Sequence, residues 1–216
     1  MPSCRNPRNP YLTLFIGDQL FQNPMPSNIA IHPTAVVDAG AQIGAGTTVW
    51  HFTHLMPRCV VGAGCIIGQN VFIDNDVVIG DGVKIQNNVS VYNGVAIADD
   101  VFIGPSVVFT NVINPRSFID RKQEFKKTVI GTGASIGANA TIICGIEIGR
   151  YALIGAGAVV THAVLPFAVV YGNPARQQGW ISKEGHPLLF DAAGTSFCEQ
   201  EKKQYYLTAG GVREVP

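Results

Sequence analysis

The chain has 216 residues, with 15 Lys plus Arg balancing 15 Asp plus Glu. That neutrality excludes a global field for nucleic acid or an anionic membrane, so any anion site must be local. Only 14% of residues are charged while 24 are Gly, a balance that suits many short strands and tight corners. The length accommodates one main domain with a small appendix.

Taken in chain order, residues 1–24 contain no periodic pattern and read as a flexible leader. Their apolar run, Tyr11 to Gly17, is too short for a signal segment or a bilayer span. The five cysteines (Cys4, Cys59, Cys65, Cys144, Cys198) are odd in number and lack paired spacing, which points to a reducing, cytoplasmic setting.

From Ile31 an aliphatic or aromatic residue returns every six positions as far as Phe109, without exception over 14 positions. A second column four residues later, from Ala35 through Val107 to Ile113, is small or β-branched, so both columns are expected to face inward. Gly follows the aliphatic residue at Gly44, Gly62, Gly68, Gly80 and Gly104, where corners are expected to need backbone angles that a Cβ opposes. Each hexad holds one short strand and one turn. Three hexads close a triangular coil of 18 residues, stacked about 4.8 Å on the next.

The register breaks after Ile113 and resumes from Ile130 to Val160. The intervening stretch, an inserted loop over 114–129, carries Arg116, Arg121, Lys122, Lys126 and Lys127, and cannot continue an apolar column. Long loops on compact scaffolds tend to carry function. The repeat domain spans 25–177, and residues 178–216 read as a cap of short strands or a hairpin over the open end.

The hexads, the charged loop and the closing Tyr171-Gly-Asn-Pro-Ala-Arg176 together resemble the hexapeptide-repeat acyltransferases. More narrowly, Val49-Trp-His-Phe-Thr-His54, Ile85-Gln-Asn-Asn-Val-Ser-Val-Tyr92, Phe109-Thr-Asn-Val-Ile-Asn-Pro-Arg116 and the segment from Gly131 to Ile143 resemble bacterial nucleotide-sugar N-acetyltransferases. The resemblance covers roughly residues 30–190. It implies an all-β, left-handed parallel β-helix, against the usual right-handed crossover. It also implies acetyl-CoA as co-substrate without a metal, and a homotrimer with active sites between subunits. The acceptor it implies is a UDP-linked 2-acetamido-3-amino-2,3-dideoxyglucuronic acid, acetylated at its 3-amino group for lipopolysaccharide O-antigen synthesis. A dTDP- or GDP-linked amino sugar is the alternative acceptor. For coenzyme A the resemblance implies Ala138, Gly155, Ala156, Gly172, Ala175 and Arg176, the last against its phosphates.

An uncharged sugar amine attacking a thioester needs both substrates held in register, a stabilised oxyanion and an exit for one proton. Arg116, Arg121 and Lys122 are candidates for the acceptor's anionic groups. Residues 18 apart share a face, so Asn75, Asn93 and Asn111 form one column and His51, Gln69 and Asn87 another. Asn75 and Asn93 read as structural turn residues. Asn111, last before the loop, is a candidate to orient the reacting groups, with Asn87, Asn88 and Tyr92 as further substrate contacts. His54 is the candidate general base, because an ordinary imidazole titrates near neutrality. Subunit packing is its alternative role, and the thiolate of coenzyme A is an alternative proton acceptor. A rival class on this fold, the zinc-dependent β-helical carbonic anhydrases, would draw on His32, His51, His54, His162 and His186, but no spacing places three of them together.

Overall fold

The computed structural model describes residues 28–215; the leader 1–24, and the first residues of the domain begun at 25, lie outside that range. From Ala30 to Val160 the chain is a left-handed parallel β-helix of two- and three-residue strands arranged on three faces. The first face carries Ala30–Ile31, Thr48–Val49, Ile66–Ile67, Lys84–Ile85, Phe102–Ile103, Ser135–Ile136 and Leu153–Ile154. The second runs from Val36–Val37 through His54–Leu55, Phe72–Ile73, Ser90–Val91, Val108–Phe109 and Thr141–Ile142 to Val159–Val160. The third runs from Gln42–Ile43 to Glu147–Ile148. Parallel partners are 18 residues apart, as in Ala30 with Thr48 and Lys84 with Phe102.

The last residue of each strand points inward. Leu55, Ile67, Ile73, Ile85, Ile103, Ile136 and Ile154 are fully buried, each worth about 1.5–3 kcal/mol of transfer free energy. Thr47 and Thr53 sit in the same core, and their hydroxyls donate to the carbonyls of Gly62 (2.7 Å) and Gly68 (2.8 Å) one turn on, so no buried oxygen is left bare. Ile31 and Val37 stay partly exposed because among the described residues no coil lies beneath them. Ile113 departs from its expected inward place: it is 57% exposed, since the chain has left the helix by then.

The corners need a different account from the expected one. The left-handed backbone conformation falls on the third residue after each inward aliphatic, where Phe52, Arg58, Asn70, Asp76, Asn88, Asp100, Ser106 and Asn139 alternate with Gly46, Gly64 and Gly82. Gly44, Gly62, Gly68, Gly80 and Gly104 do not adopt it. Their requirement is room. A Cβ on Gly104 would lie 2.7 Å from Ala138 N, and one on Gly68 would lie 2.8 Å from Asn87 Oδ1, so the coil above excludes it.

The loop leaves after Phe109 and returns at Thr128–Ile130, two residues before the expected limit. Ile97 pairs with Ile130, a separation of 33 residues in place of 18, so the excursion adds 15 residues without disturbing the column. A single 3-10 turn, Lys122–Glu124, is its only regular element.

At the far end Ala168–Gly172 adds a last parallel rung beside Leu153–Ile154, then pairs antiparallel with Ala175–Ile181. The boundary placed between 177 and 178 therefore falls inside a strand. Thr195–Cys198, Lys203–Thr208 and Gly211–Glu214 form a separate antiparallel sheet around Phe167, Leu188, Cys198, Tyr205 and Val212, all buried.

Candidate active site

The prism has two edges flanking its second face. The edge from first to second face carries Trp50, His51, Gln69, Gln86, Asn87, Asn88, Ala138, Gly155 and Ala156, because each follows a strand of the first face. The edge from second to third face carries Asp38, Tyr92, Asn111, the loop, Thr161 and His162.

His54 opens a second-face strand, so Leu55 takes the core and the imidazole points outward, half-exposed. Its Nε2 lies 3.0 Å from Asp38 Oδ2, a carboxylate one coil earlier, and Phe72 meets the ring edge-on at 5.7 Å. Tyr92 follows at 6.2 Å from Phe72. An imidazole fixed by a carboxylate on one nitrogen is oriented to exchange a proton at the other. Asp38 was not singled out from sequence. Its signal is a spacing of 16, two short of a coil, which brings the residue after one strand beside the first residue of the next.

Asn111 is half-buried at the root of the loop, and its carbonyl accepts from Lys126 N at 2.9 Å. Below it Asn93 Nδ2 donates to Asn75 O at 2.8 Å, the structural ladder expected of that column. Asn111 stands three coils above His54, about 14 Å along the axis, so the two do not form one constellation within a subunit.

The loop encloses a hollow of about 480 Å³ lined by Arg116, Phe118, Arg121, Lys122 and Phe125. Arg121 is spent on Glu124, with Nη1 at 2.8 Å from both carboxylate oxygens, while its buried Nε has no partner. Arg116 donates only to its neighbour's carbonyl, and its guanidinium is exposed. Lys122 is exposed as well.

On the first edge Asn88 is a turn residue with φ of 62°, and its Oδ1 accepts from Asn70 Nδ2 at 3.0 Å. Asn87 lines a different hollow, of about 330 Å³, with Trp50, His51, Gln69 and Gln86. Ala138, Gly155 and Ala156 continue the same edge upward, with Gly137 packed so closely on Gly155 and Ala156 that no side chain fits between. Gly172, Ala175 and Arg176 lie in the closing hairpin; Ala175 and Arg176 border a hollow of about 390 Å³ with Thr161, His162 and Leu165.

The remaining titratable groups are dispersed. His32 stacks on His51 with centroids 3.5 Å apart, and its pKa is lowered, first by desolvation and then by that neighbour. Burial pushes the Cys59 thiol up to about 11. Among the described residues one cluster of three metal-capable side chains occurs, Glu184, His186 and Glu201 in the cap. There Glu201 already accepts from the Ser182 and Tyr205 hydroxyls and Glu184 N. No helix among the described residues is long and apolar enough to cross a membrane.

Stacked hexads, a neutral glycine-lined edge and an oriented imidazole define an acyltransferase of the hexapeptide class. The bacterial transferase hexapeptide model (six repeats) matches residues 40–75, 76–111 and 127–162, half of the chain, and the chain belongs to that family. The chain is 45% identical over 176 residues to a dTDP-3-amino-3,6-dideoxy-α-D-galactopyranose 3-N-acetyltransferase of Aneurinibacillus thermoaerophilus, covering 82% of this chain and 90% of the relative. A chloramphenicol acetyltransferase of Escherichia coli is 41% identical over 97 residues, 44% of this chain and 46% of that one. The GDP-perosamine N-acetyltransferase of Caulobacter crescentus, solved with CoA and GDP-perosamine, shares the fold at a TM-score of 0.50 and 24% identity. It is matched over 71% of this chain, which spans 58% of its length.

Proposed function

We propose that this enzyme transfers the acetyl group of acetyl-CoA to the amino group of a nucleotide-linked deoxyamino sugar, with a dTDP-linked 3-amino-3,6-dideoxyhexose as preferred acceptor. The observation that carries the reading is the near full-length 45% identity to an enzyme of that name. It favours the dTDP-linked alternative over the UDP-linked uronic acid implied by the first resemblance. The loop agrees: a uronate adds a carboxylate to the two charges of a diphosphate, and Glu124 has already taken Arg121.

In this reading the amine nitrogen attacks the thioester carbonyl, the C–S bond breaks, and the amide forms as coenzyme A leaves as thiolate. That thiolate takes the proton lost by the amine, because His54 lies four coils below Ala138, about 19 Å short of the donor channel. Arg116 meets the acceptor's diphosphate, and Asn111 orients the sugar. Ala138, Gly155 and Ala156 leave a channel for the pantetheine arm, and Arg176 meets the phosphates of coenzyme A. Each edge lies open along one side in a single chain, and a homotrimer closes the second edge of one subunit against the first edge of its neighbour. Acetyl-CoA and nucleotide sugars as substrates support a cytoplasmic enzyme, and an N-acetylated nucleotide sugar is what a glycosyltransferase consumes, consistent with O-antigen assembly.

The test is transfer from acetyl-CoA to a panel of dTDP-linked 3-amino and 4-amino sugars, GDP-linked 4-amino sugars and UDP-linked 3-amino uronates. Highest kcat/KM on a dTDP-linked 3-amino sugar is expected. Preference for the uronate would restore the first reading, and no transfer to any member would overturn both.

A further inference from the structure

The hollow around Trp50 differs in composition from the hollows of the loop and of the closing hairpin. None of its lining residues is Lys, Arg, Asp or Glu. Its walls are the Trp50 indole, 41% exposed, and its floor is Ile66 and Ile85. The indole lies nearly parallel to the His51 ring, at 12°, and His51 in turn stacks on His32, so the flat surface is held in place before anything binds.

Around that surface stand three carboxamides. Asn87 Oδ1 accepts from Gln69 N at 2.8 Å, which fixes its amide and leaves Nδ2 without a partner among the described residues. The side chains of Gln69 and Gln86 likewise have no partner among the described residues. Unpaired amides beside an exposed aromatic face suit a flat, uncharged ligand whose edge offers both donors and acceptors. A diphosphate is disfavoured, because no cation lines the hollow.

Height along the prism decides between a sugar and a base. From Asn87 the edge climbs through Pro105 to Ala138, two coils or about 10 Å, before the proposed donor channel begins. A sugar seated against Trp50 would hold its amine that far from the thioester. A base seated there leaves the diphosphate and sugar to cover the distance.

We infer that Trp50, Gln69, Gln86 and Asn87 form the seat for the pyrimidine base of the acceptor nucleotide. The inference rests on the nucleotide-sugar reading and adds the part of the protein that recognises the nucleotide. The thymine ring stacks on the indole, and the carboxamides meet its N3–H and ring carbonyls.

The test pairs steady-state kinetics with calorimetric binding of dTDP alone to the full chain. Trp50→Ala is expected to raise both the KM for the dTDP-linked amino sugar and the Kd for dTDP about tenfold, the scale of one lost base stack. The KM for acetyl-CoA should stay within about twofold, Trp50→Phe should recover most of the loss, and Gln86→Ala should weaken dTDP severalfold. Unchanged dTDP affinity in both alanine variants would overturn the seat, as would a rise confined to the KM for acetyl-CoA, a wild-type protein that binds no dTDP, or a Trp50→Ala protein that changes oligomeric state without losing dTDP. A wild type that binds dTDP through Trp50 yet acetylates no nucleotide sugar would sink the transferase acceptor and leave the seat standing.

Discussion

The two edges beside the second face are built from the same hexads and differ in chemistry. The first carries small residues and neutral amides packed so tightly that Gly137 and Gly155 admit no Cβ. The second carries the His54–Asp38 pair and releases the charged loop. Identical backbone geometry therefore leaves side chains free to specialise, small and neutral on one edge and ionisable on the other. In the function proposed above, a second copy joins the two edges into one site.

The sharpest way to break this contrast is at the imidazole. Removing a true general base costs about 100-fold or more, whereas His54→Ala and Asp38→Asn should each leave kcat/KM within about tenfold of wild type, with little change in thermal stability. A fall of about 100-fold or more for His54→Ala would return the proton to the imidazole and break the contrast.

Next in size is the packing of the corners. Gly104→Ala should destabilise by about 1–3 kcal/mol, since its Cβ meets backbone of the next coil. Gly64→Ala has open space but a φ of 65°, so its cost should be nearer 1 kcal/mol, from backbone conformation alone. Chemical denaturation of the two variants measures the difference.

Arg176 sharpens the assignment of the donor end. Arg176→Ala should raise the KM for acetyl-CoA about tenfold, as expected for one charge-assisted contact to phosphate, with the acceptor KM unchanged. An unaltered KM would leave Arg176 to its own backbone, where it donates to the Ala175 carbonyl at 2.9 Å.

The smallest effect is expected at a pair that bridges coils on the second edge. Arg58 holds Asp76 through two hydrogen bonds of 2.7 and 2.9 Å, and the guanidinium, then Asn75, lowers that carboxyl to about 2. Because the folded value lies below the unfolded one, the contribution is present above about pH 4 and fades as pH falls towards 2. Both groups are exposed, so Asp76→Asn should shift Tm by little, less still in high salt, and only above that window.

The scaffold was legible because a period of six is written in residues that must be buried, from Val49 to Val160. Its exceptions were legible too, since Pro115 to Lys127 cannot occupy a core. The reason for the glycines was not. Sequence shows that Cβ is absent at Gly104 but not whether a torsion or a neighbouring coil forbids it. The cap sheet over 195–214 has no period to read, and its core of Tyr205, Phe167 and Val212 unites residues far apart in the chain. Among site residues, columns 18 apart placed Asn87 beside Gln69 correctly, while His54 and Asn111 were read together although three coils divide them. Contacts between non-equivalent positions, such as Asp38 with His54, fall outside any single column and so escaped the period.

The return of the chain from Phe109 to Thr128 has a consequence for descent. Because Ile130 resumes its pairing with Ile97 as though nothing intervened, the excursion behaves as a detachable module. Its length and charge are uncoupled from the hydrophobic stack, and lengthening it costs only a slowly growing closure entropy. The same prism can therefore carry a different module at this point while its stacked coils stay untouched.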